Sequence, residues 1–230
     1  MATKLDFDEL NILDSKSKKR RYPQSVPYHD FFGKMFISVE QMNKRIDLAG
    51  RIEVAMLYLF AYWLLKAETY IDFTEDEIKE KVRDELRAII ADDSAVDEYL
   101  EIYIADLIDE VWDTMEEHAS EILEDNDDVE SEGSYWTSRD RAKLIAENSA
   151  NAFENYNDYR KSKAQGKTKK TWITELDDKV RTTHRLVEGK TIDIDGLFLV
   201  GGSKMRFPMD TKYDADPRET INCRCTCEYK

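Results

Sequence analysis

Hydrophobic and polar positions alternate along this chain mostly with a helical period. Residues 1–27 are polar, carry the run KSKKRRYP and prolines at 23 and 27, and predict an extended arm. From Tyr28 to Phe73 the sequence turns apolar, and two helices are expected there, the second beginning near Gly50 and burying most of its circumference. Thr74 and Glu77 form a capping box ahead of Ile78, Val82, Leu86, Ile89 and Ile90, which repeat at helical spacing until Ala91 to Asp93. Ser94 can cap a third, long helix with Val96, Leu100, Tyr103, Leu107, Val111, Met115 and Ile122 on one stripe and acids on the other face. Such a helix must cover its stripe, against Val54 to Leu65 or against another chain, so a bundle or hairpin is expected.

The stretch Glu124 to Ser134 holds one apolar residue and a glycine, which predicts a boundary: an arm at 1–27, a helical module at 28–133 and a second domain at 134–230. After Thr137 or Ser138 as cap, Ala142, Ile145, Ala146, Ser149, Phe153 and Tyr156 mark one more helix. KSKAQGKTKK then reads as a flexible basic loop. Short β-like runs follow at 171–174, 191–194, 197–200 and 205–207, with Gly201-Gly202 as a turn. The fold class is therefore α+β: a mainly helical N-terminal module followed by a small α+β domain with short antiparallel strands.

Composition supports this reading and narrows the setting. The 230 residues are 41% hydrophobic, enough for a core, and only eight Gly and four Pro argue against many-stranded or low-complexity architectures. The start has no basic region leading into an apolar one, and three cysteines within the last eight residues do not form a disulfide framework, so synthesis in a reducing cytoplasm is expected. The most apolar stretch, Val54 to Leu65, is twelve residues long and short of the roughly 20 needed for a membrane span, so no membrane partner is expected.

Net charge is −15, yet residues 72–132 hold 25 acids against four bases. The remainder is basic, with clusters at Lys16 to Arg21 and from Arg160 to Arg185. The acidic segment is a solvated helix surface or a docking face for a basic partner. Arg160, Lys161, Lys163, Lys167, Lys169 and Lys170 are the candidate nucleic-acid contacts.

The chemistry concentrates in Trp172 to Lys190 and in the final NCRCTCEYK. If helical, Asp177, Arg181 and His184 share a face, either as a structural network or as a trio in which Asp177 fixes the imidazole tautomer and His184 moves a proton. In an extended strand Cys223, Cys225 and Cys227 point to one side, too far apart for easy disulfides. Two uses remain open for them. They are reduced, packed thiols, or they join His184 in a tetrahedral zinc site with Cys227 or Asp177 as fourth ligand. His29 and His118 have no metal-ligating company in sequence and read as structural.

With these residues stated, the stretch Arg141 to Cys225 resembles the phage Mu F-like minor head protein family, the phage head morphogenesis proteins. The resemblance rests on Arg141-Ala142-Lys143-Leu144-Ile145-Ala146, Gly166, Lys170 to Thr174 around Trp172, Leu176-Asp177, Val180-Arg181, His184, Gly189, Ile194, Phe198, Met205, Pro208 and Asn222-Cys223-Arg224-Cys225. The chain departs from the pattern at Glu147-Asn148-Ser149, where an Arg-Thr-Glu-like run is usual, and in carrying Cys227 beyond the usual ending.

What the resemblance implies is a structural protein of a tailed bacteriophage, not an enzyme. Its motif core would be Trp172, Asp177, Arg181, His184 and Arg224. Its partners would be the portal protein and, beyond it, the major capsid or scaffold protein and packaged DNA. Its place would be the virion head near the portal vertex, after assembly in the host cytoplasm. Members also occur fused to toxin domains, and with its end at the motif this chain is expected to carry none. The alternatives are a nucleic-acid-binding packaging accessory and a small metal-dependent hydrolase or effector using Asp177, Arg181 and His184.

Overall fold

The computed structural model describes residues 28–92, 95–127 and 133–230. The expected arm, with its Lys16 to Arg21 cluster, and the Ser94 cap lie outside the described residues, as do residues 128–132 of the predicted boundary. Five helices come first: α1 (Tyr28–Phe32), α2 (Val39–Ala67), α3 (Glu75–Ala91), α4 (Glu98–Glu117) and α5 (Ala119–Asp127). A 3₁₀ turn at Tyr135–Thr137 leads into α6 (Arg139–Ala164). Short elements complete the chain: β1 (Lys169–Ile173), α7 (Thr182–Arg185), β2 (Thr191–Asp193), β3 (Phe198–Val200), β4 (Ser203–Met205), α8 (Pro217–Thr220) and β5 (Thr226–Tyr229). The architecture is α+β, with short antiparallel strands confined to the C-terminal part.

Helix α2 does not start at Gly50. Ser38 and Gln41 make a capping box eleven residues earlier, and the helix runs straight through the glycine. A glycine inside a helix costs about 1 kcal/mol. Burying Leu48, Ala49, Ile52, Ala55, Met56, Leu59, Phe60 and Trp63 outweighs that several-fold, at about 1.5–3 kcal/mol for each large side chain. By length and composition α2 could cross a membrane, but half of its most apolar window is buried in the protein. Its buried Arg45 and Glu53 bond to α6 and its flank, as suits a core helix.

Helix α3 follows expectation: the Thr74 box is present and Ile78, Val82, Leu86, Ile89 and Ile90 are all buried. The predicted third helix is instead two. Helix α4 is capped by Asp97 and ends at His118, and α5 starts at the next residue. Its last turn holds Asp113, Glu116 and Glu117 with no base, which opposes the helix dipole. The His118 ring then stacks on Trp136, 3.7 Å between centroids. The buried face of α4 is Leu100, Ile104, Ile108, Val111, Trp112 and Met115, while Tyr103 and Leu107 lie only at its margin.

Helix α6 begins at Ser138 as expected but extends beyond the predicted loop. Lys161 and Lys163 complement the dipole in its last turn. A Schellman closure with Gly166 at φ +78° ends it, Gly166 N–H bonding Lys163 O and Lys167 N–H bonding Ser162 O. KSKAQGKTKK is thus a helix end, a tight turn and the start of β1.

Strand β1 is the centre of a three-stranded antiparallel sheet in the order β2-β1-β5, with Trp172 opposite Cys227 and Thr171 opposite both Thr191 and Glu228. Strands β3 and β4 form a hairpin whose turn is Gly201-Gly202, both at positive φ. One core joins α1 to α6 and takes in Ile194 and Phe207 from the C-terminal part. A second surrounds Trp172 with Val187, Phe198, Val200, Met205, Met209, Cys223, Cys225 and Ala152. Helix α6 is the wall between them.

Candidate metal centre

The wall position of α6 explains an unusual run: Ser149 to Asn157 is buried on every side although it contains Asn151, Glu154, Asn155 and Asn157. Buried amides must find partners. Asn151 Nδ2 donates to Cys223 O at 2.8 Å, and Asn155 Nδ2 donates to Cys225 O at 3.2 Å and to Pro208 O at 3.2 Å. Nearer the helix start, Asn222 N–H donates to Asn148 Oδ1 at 2.5 Å. Residues 148, 151 and 155 share one helical face, so this face grips the backbone of the cysteine segment at three points.

A second set of bonds fastens the same segment from the other side. Arg224 Nη2 donates to both oxygens of Asp177 at 2.9 and 2.8 Å, Arg181 donates to the Ile221 carbonyl, and Arg185 Nη2 donates to Asp177 O at 2.8 Å. Asp177 sits in a loop and not on a helix with His184, since only Thr182–Arg185 is helical there. It pairs with Arg224 and is therefore neither the fourth metal ligand nor the group that orients the imidazole. Proximity to that guanidinium and two backbone N–H groups holds its carboxyl below the usual range against the opposing effect of burial.

The fastened loops bring His184, Cys223 and Cys225 together, with ligand atoms all within 4.8 Å of one another. His184 Nδ1 lies 3.3 Å from Cys225 Sγ and 3.6 Å from Cys223 Sγ. Its Nε2 lies 3.1 Å from Glu219 Oε2, which also accepts from Thr183 Oγ1 at 2.7 Å. Trp172 meets the imidazole edge-on at 5.7 Å. The three donors are almost closed to solvent, at 1%, 1% and 4% exposure for His184, Cys223 and Cys225.

The donor set fits a metal ion. With metal–sulfur and metal–nitrogen bonds of about 2.3 and 2.0–2.1 Å, tetrahedral geometry puts nitrogen and sulfur about 3.5 Å apart, between the two separations found. The electrostatics agree. Cys223 is held well below the ordinary thiol range by a hydrogen bond from Cys225 and by His184, against the effect of burial, whereas its partner Cys225 is pushed up by donating that bond and by burial. Burial lowers the His184 pKa, but contact with Cys223 and Glu219 more than reverses this and the net shift is upward. The first thiol to ionise is thus already aimed at a ligand position.

Cys227 is outside this cluster. It lies in β5 opposite Trp172, and burial raises its thiol to about 12 despite the Lys170 charge. Of the three thiols only Cys223 and Cys225 are placed beside His184, because the segment enters the strand at Thr226, after both of them, and Asn222 turns it at φ +58°. His118 is stacked on Trp136 and 3.5 Å from Glu121, away from any such cluster.

The basic residues fare differently from expectation. Lys170 is fully buried and donates to Ile194 O and Gly196 O, so it cannot reach nucleic acid. Arg160 bonds Ala95 O and Asp97, Lys163 pairs with Asp195 and Lys169 with Asp193. Lys161 and Lys167 are exposed.

Sequence reasoning missed Glu219, Arg45 and the three asparagines. The asparagines did leave a signal, since poor helix formers recurring at 148, 151 and 155 are costly unless each holds something.

Residues 106–228 match the family model described as Phage Mu protein F like protein. The chain is 33% identical over 69 residues to the NAD(+)--arginine ADP-ribosyltransferase EFV of Enterococcus faecalis, a stretch covering 30% of this chain and 14% of that protein. No solved structure matches the chain.

Proposed function

The chain belongs to the phage Mu F-like family of head morphogenesis proteins, and on that premise we propose that it is a minor head protein. In this reading it binds the portal, acts in head assembly, packaging or genome delivery, and resides near the portal vertex after assembly in the host cytoplasm. One observation carries the reading: the family match runs from within α4 through the cysteine segment and takes in nearly all of the interlocked C-terminal part. The exposed acids of α3 and α4, among them Glu85, Asp106, Glu110 and Asp113, supply a face for a basic partner surface such as a portal or capsid subunit.

The role is structural in this proposal, and the His184–Cys223–Cys225 cluster holds a stabilising zinc ion. Two soft thiolate donors with one imidazole favour zinc over harder cations. Near-complete burial suits a structural site, which needs a fourth donor besides His184, Cys223 and Cys225, more than a catalytic one, which keeps a position open to water. The fold supports the need, since the second core is small and its loops carry little regular structure.

Mass analysis of purified particles tests the main claim: the chain should be present in few copies and co-purify with portal rings. Its absence from particles would overturn it. The packaging-accessory alternative rests on Lys161, Lys167 and the basic run at Lys16 to Arg21, since the other candidate contacts are engaged within the protein.

A further inference from the structure

Glu219 is not among the residues that carry the family resemblance, yet its carboxylate is held from three directions beside the cluster. It is the third residue of the four-residue α8, which is capped by Asp216 and opens with Pro217. Its Oε2 accepts from Thr183 Oγ1 at 2.7 Å and meets His184 Nε2 at 3.1 Å. On its other side the β3–β4 turn closes in: a Cβ on Gly201 would stand 2.0 Å from Glu219 Oε1. Gly201 is thus glycine for two reasons, its φ of +58° and the space the carboxylate occupies.

A carboxylate only accepts hydrogen bonds, so a Glu219 bond to Nε2 requires the hydrogen to sit there. The lone pair of His184 is then on Nδ1, the atom that faces both sulfurs. Histidine ligands of metal sites commonly donate their other ring N–H to a carboxylate, which fixes tautomer and ring orientation and raises ligand basicity. We propose that Glu219 is the positioning residue of this centre, selecting the tautomer in which His184 would ligate zinc through Nδ1, and that Gly201 keeps the space the carboxylate needs. The proposal rests on the zinc reading above and adds which nitrogen binds and what presets it.

The full chain, loaded with zinc and labelled with ¹⁵N at histidine, tests this by long-range proton–nitrogen correlation. His184 should show hydrogen on Nε2 and metal ligation at Nδ1. Glu219→Ala should lower zinc affinity by about 10–100-fold and give mixed tautomers. Glu219→Gln, which keeps volume and an acceptor, should fold and retain the tautomer while still losing affinity. Gly201→Ala should reproduce the Glu219→Ala phenotype with every ligand intact. Ligation through Nε2, or Glu219 variants binding zinc as tightly as the parent, would overturn the proposal while leaving zinc binding standing. A parent chain that takes up no zinc would instead bring down the metal reading, and this proposal with it.

Discussion

Arg45, in the second turn of α2, donates from Nε to Asn151 Oδ1 at 3.1 Å although neither side chain touches solvent. Its Nη2 reaches Asn155 Oδ1 at 3.4 Å and Asp158 at 3.5 Å. Because the same two asparagines hold the carbonyls of Cys223 and Cys225, one guanidinium links the helical core to the His184–Cys223–Cys225 cluster through two side chains.

That linkage predicts a coupled defect. Arg45→Met should cost about 3–5 kcal/mol, the usual penalty for leaving buried partners of a removed charge unpaired. Asn151→Ala should cost about 1–3 kcal/mol, because the Cys223 carbonyl loses its donor. Both variants should also bind zinc more weakly than the parent when compared by competition with a chelating dye. Full zinc affinity in a destabilised Asn151→Ala chain would show that the two properties are separate.

Metal removal should lower the melting temperature of the whole chain. With free zinc at about 100 times its dissociation constant, binding to the folded state alone contributes about 2.7 kcal/mol. Cys223→Ser and Cys225→Ser should melt at one low temperature whether or not chelator is present. Cys227→Ser should behave as the parent does, since Cys227 belongs to the sheet; calorimetry with and without chelator distinguishes the three.

Glu147 predicts a pH dependence. It is 1% exposed, its Oε1 has no hydrogen-bond partner, and burial together with the charge of Glu53, only partly offset by Lys143, raises its pKa from 4.5 to about 7. The folded chain therefore holds a proton that the unfolded chain has released between about pH 4.5 and 7. Stability falls as pH rises through that window and stays lower above it. Glu147→Gln should stabilise the chain by about 1–3 kcal/mol at pH 8, with the difference vanishing below pH 4.5. Paired thermal melts of zinc-free protein at the two ends of the range would show it, and equal gains at both would refute the assignment to titration.

Helix α4 supplies a test of packing direction. Ile104→Ala and Ile108→Ala remove fully buried side chains and should each cost about 2–5 kcal/mol in urea unfolding. Leu107→Ala, at the margin of the same face, should cost distinctly less. Equal losses would mean that α4 is rotated about its axis relative to this structure.

Much of the architecture was readable one element at a time. The Thr74 box, the Ser138 cap, the α3 stripe and the Gly201-Gly202 turn are local events, governed by residues within four positions of each other, and each appears where its residues stand. Element lengths were less readable. Gly50 and the lysine-rich stretch after Arg160 look like breaks to a local rule, yet burial carries α2 through the first and helix-end charges carry α6 into the second. The stripe along α4 and α5 is legible in part: Leu100, Val111, Met115 and Ile122 are buried as their spacing predicts, whereas Ile104, Ile108 and Trp112 face in ahead of Tyr103 and Leu107, because the partners α2 and α3 decide which side is covered.

The candidate ligands His184, Cys223 and Cys225 were visible as residue types at the two ends of a compact segment. Their meeting was not derivable from spacing, because it depends on Arg181, Arg224 and three asparagines of a distant helix closing two loops on each other. The choice of two thiols from three, and of Glu219 over Asp177 as the imidazole's partner, is likewise a matter of long-range closure. Sequence alone determined the class of fold, the Thr74 and Ser138 caps and the donor chemistry, since these follow from backbone preferences and side-chain type. Which donors share a point in space was left to the tertiary structure, where burial and paired hydrogen bonds across more than seventy residues select one arrangement.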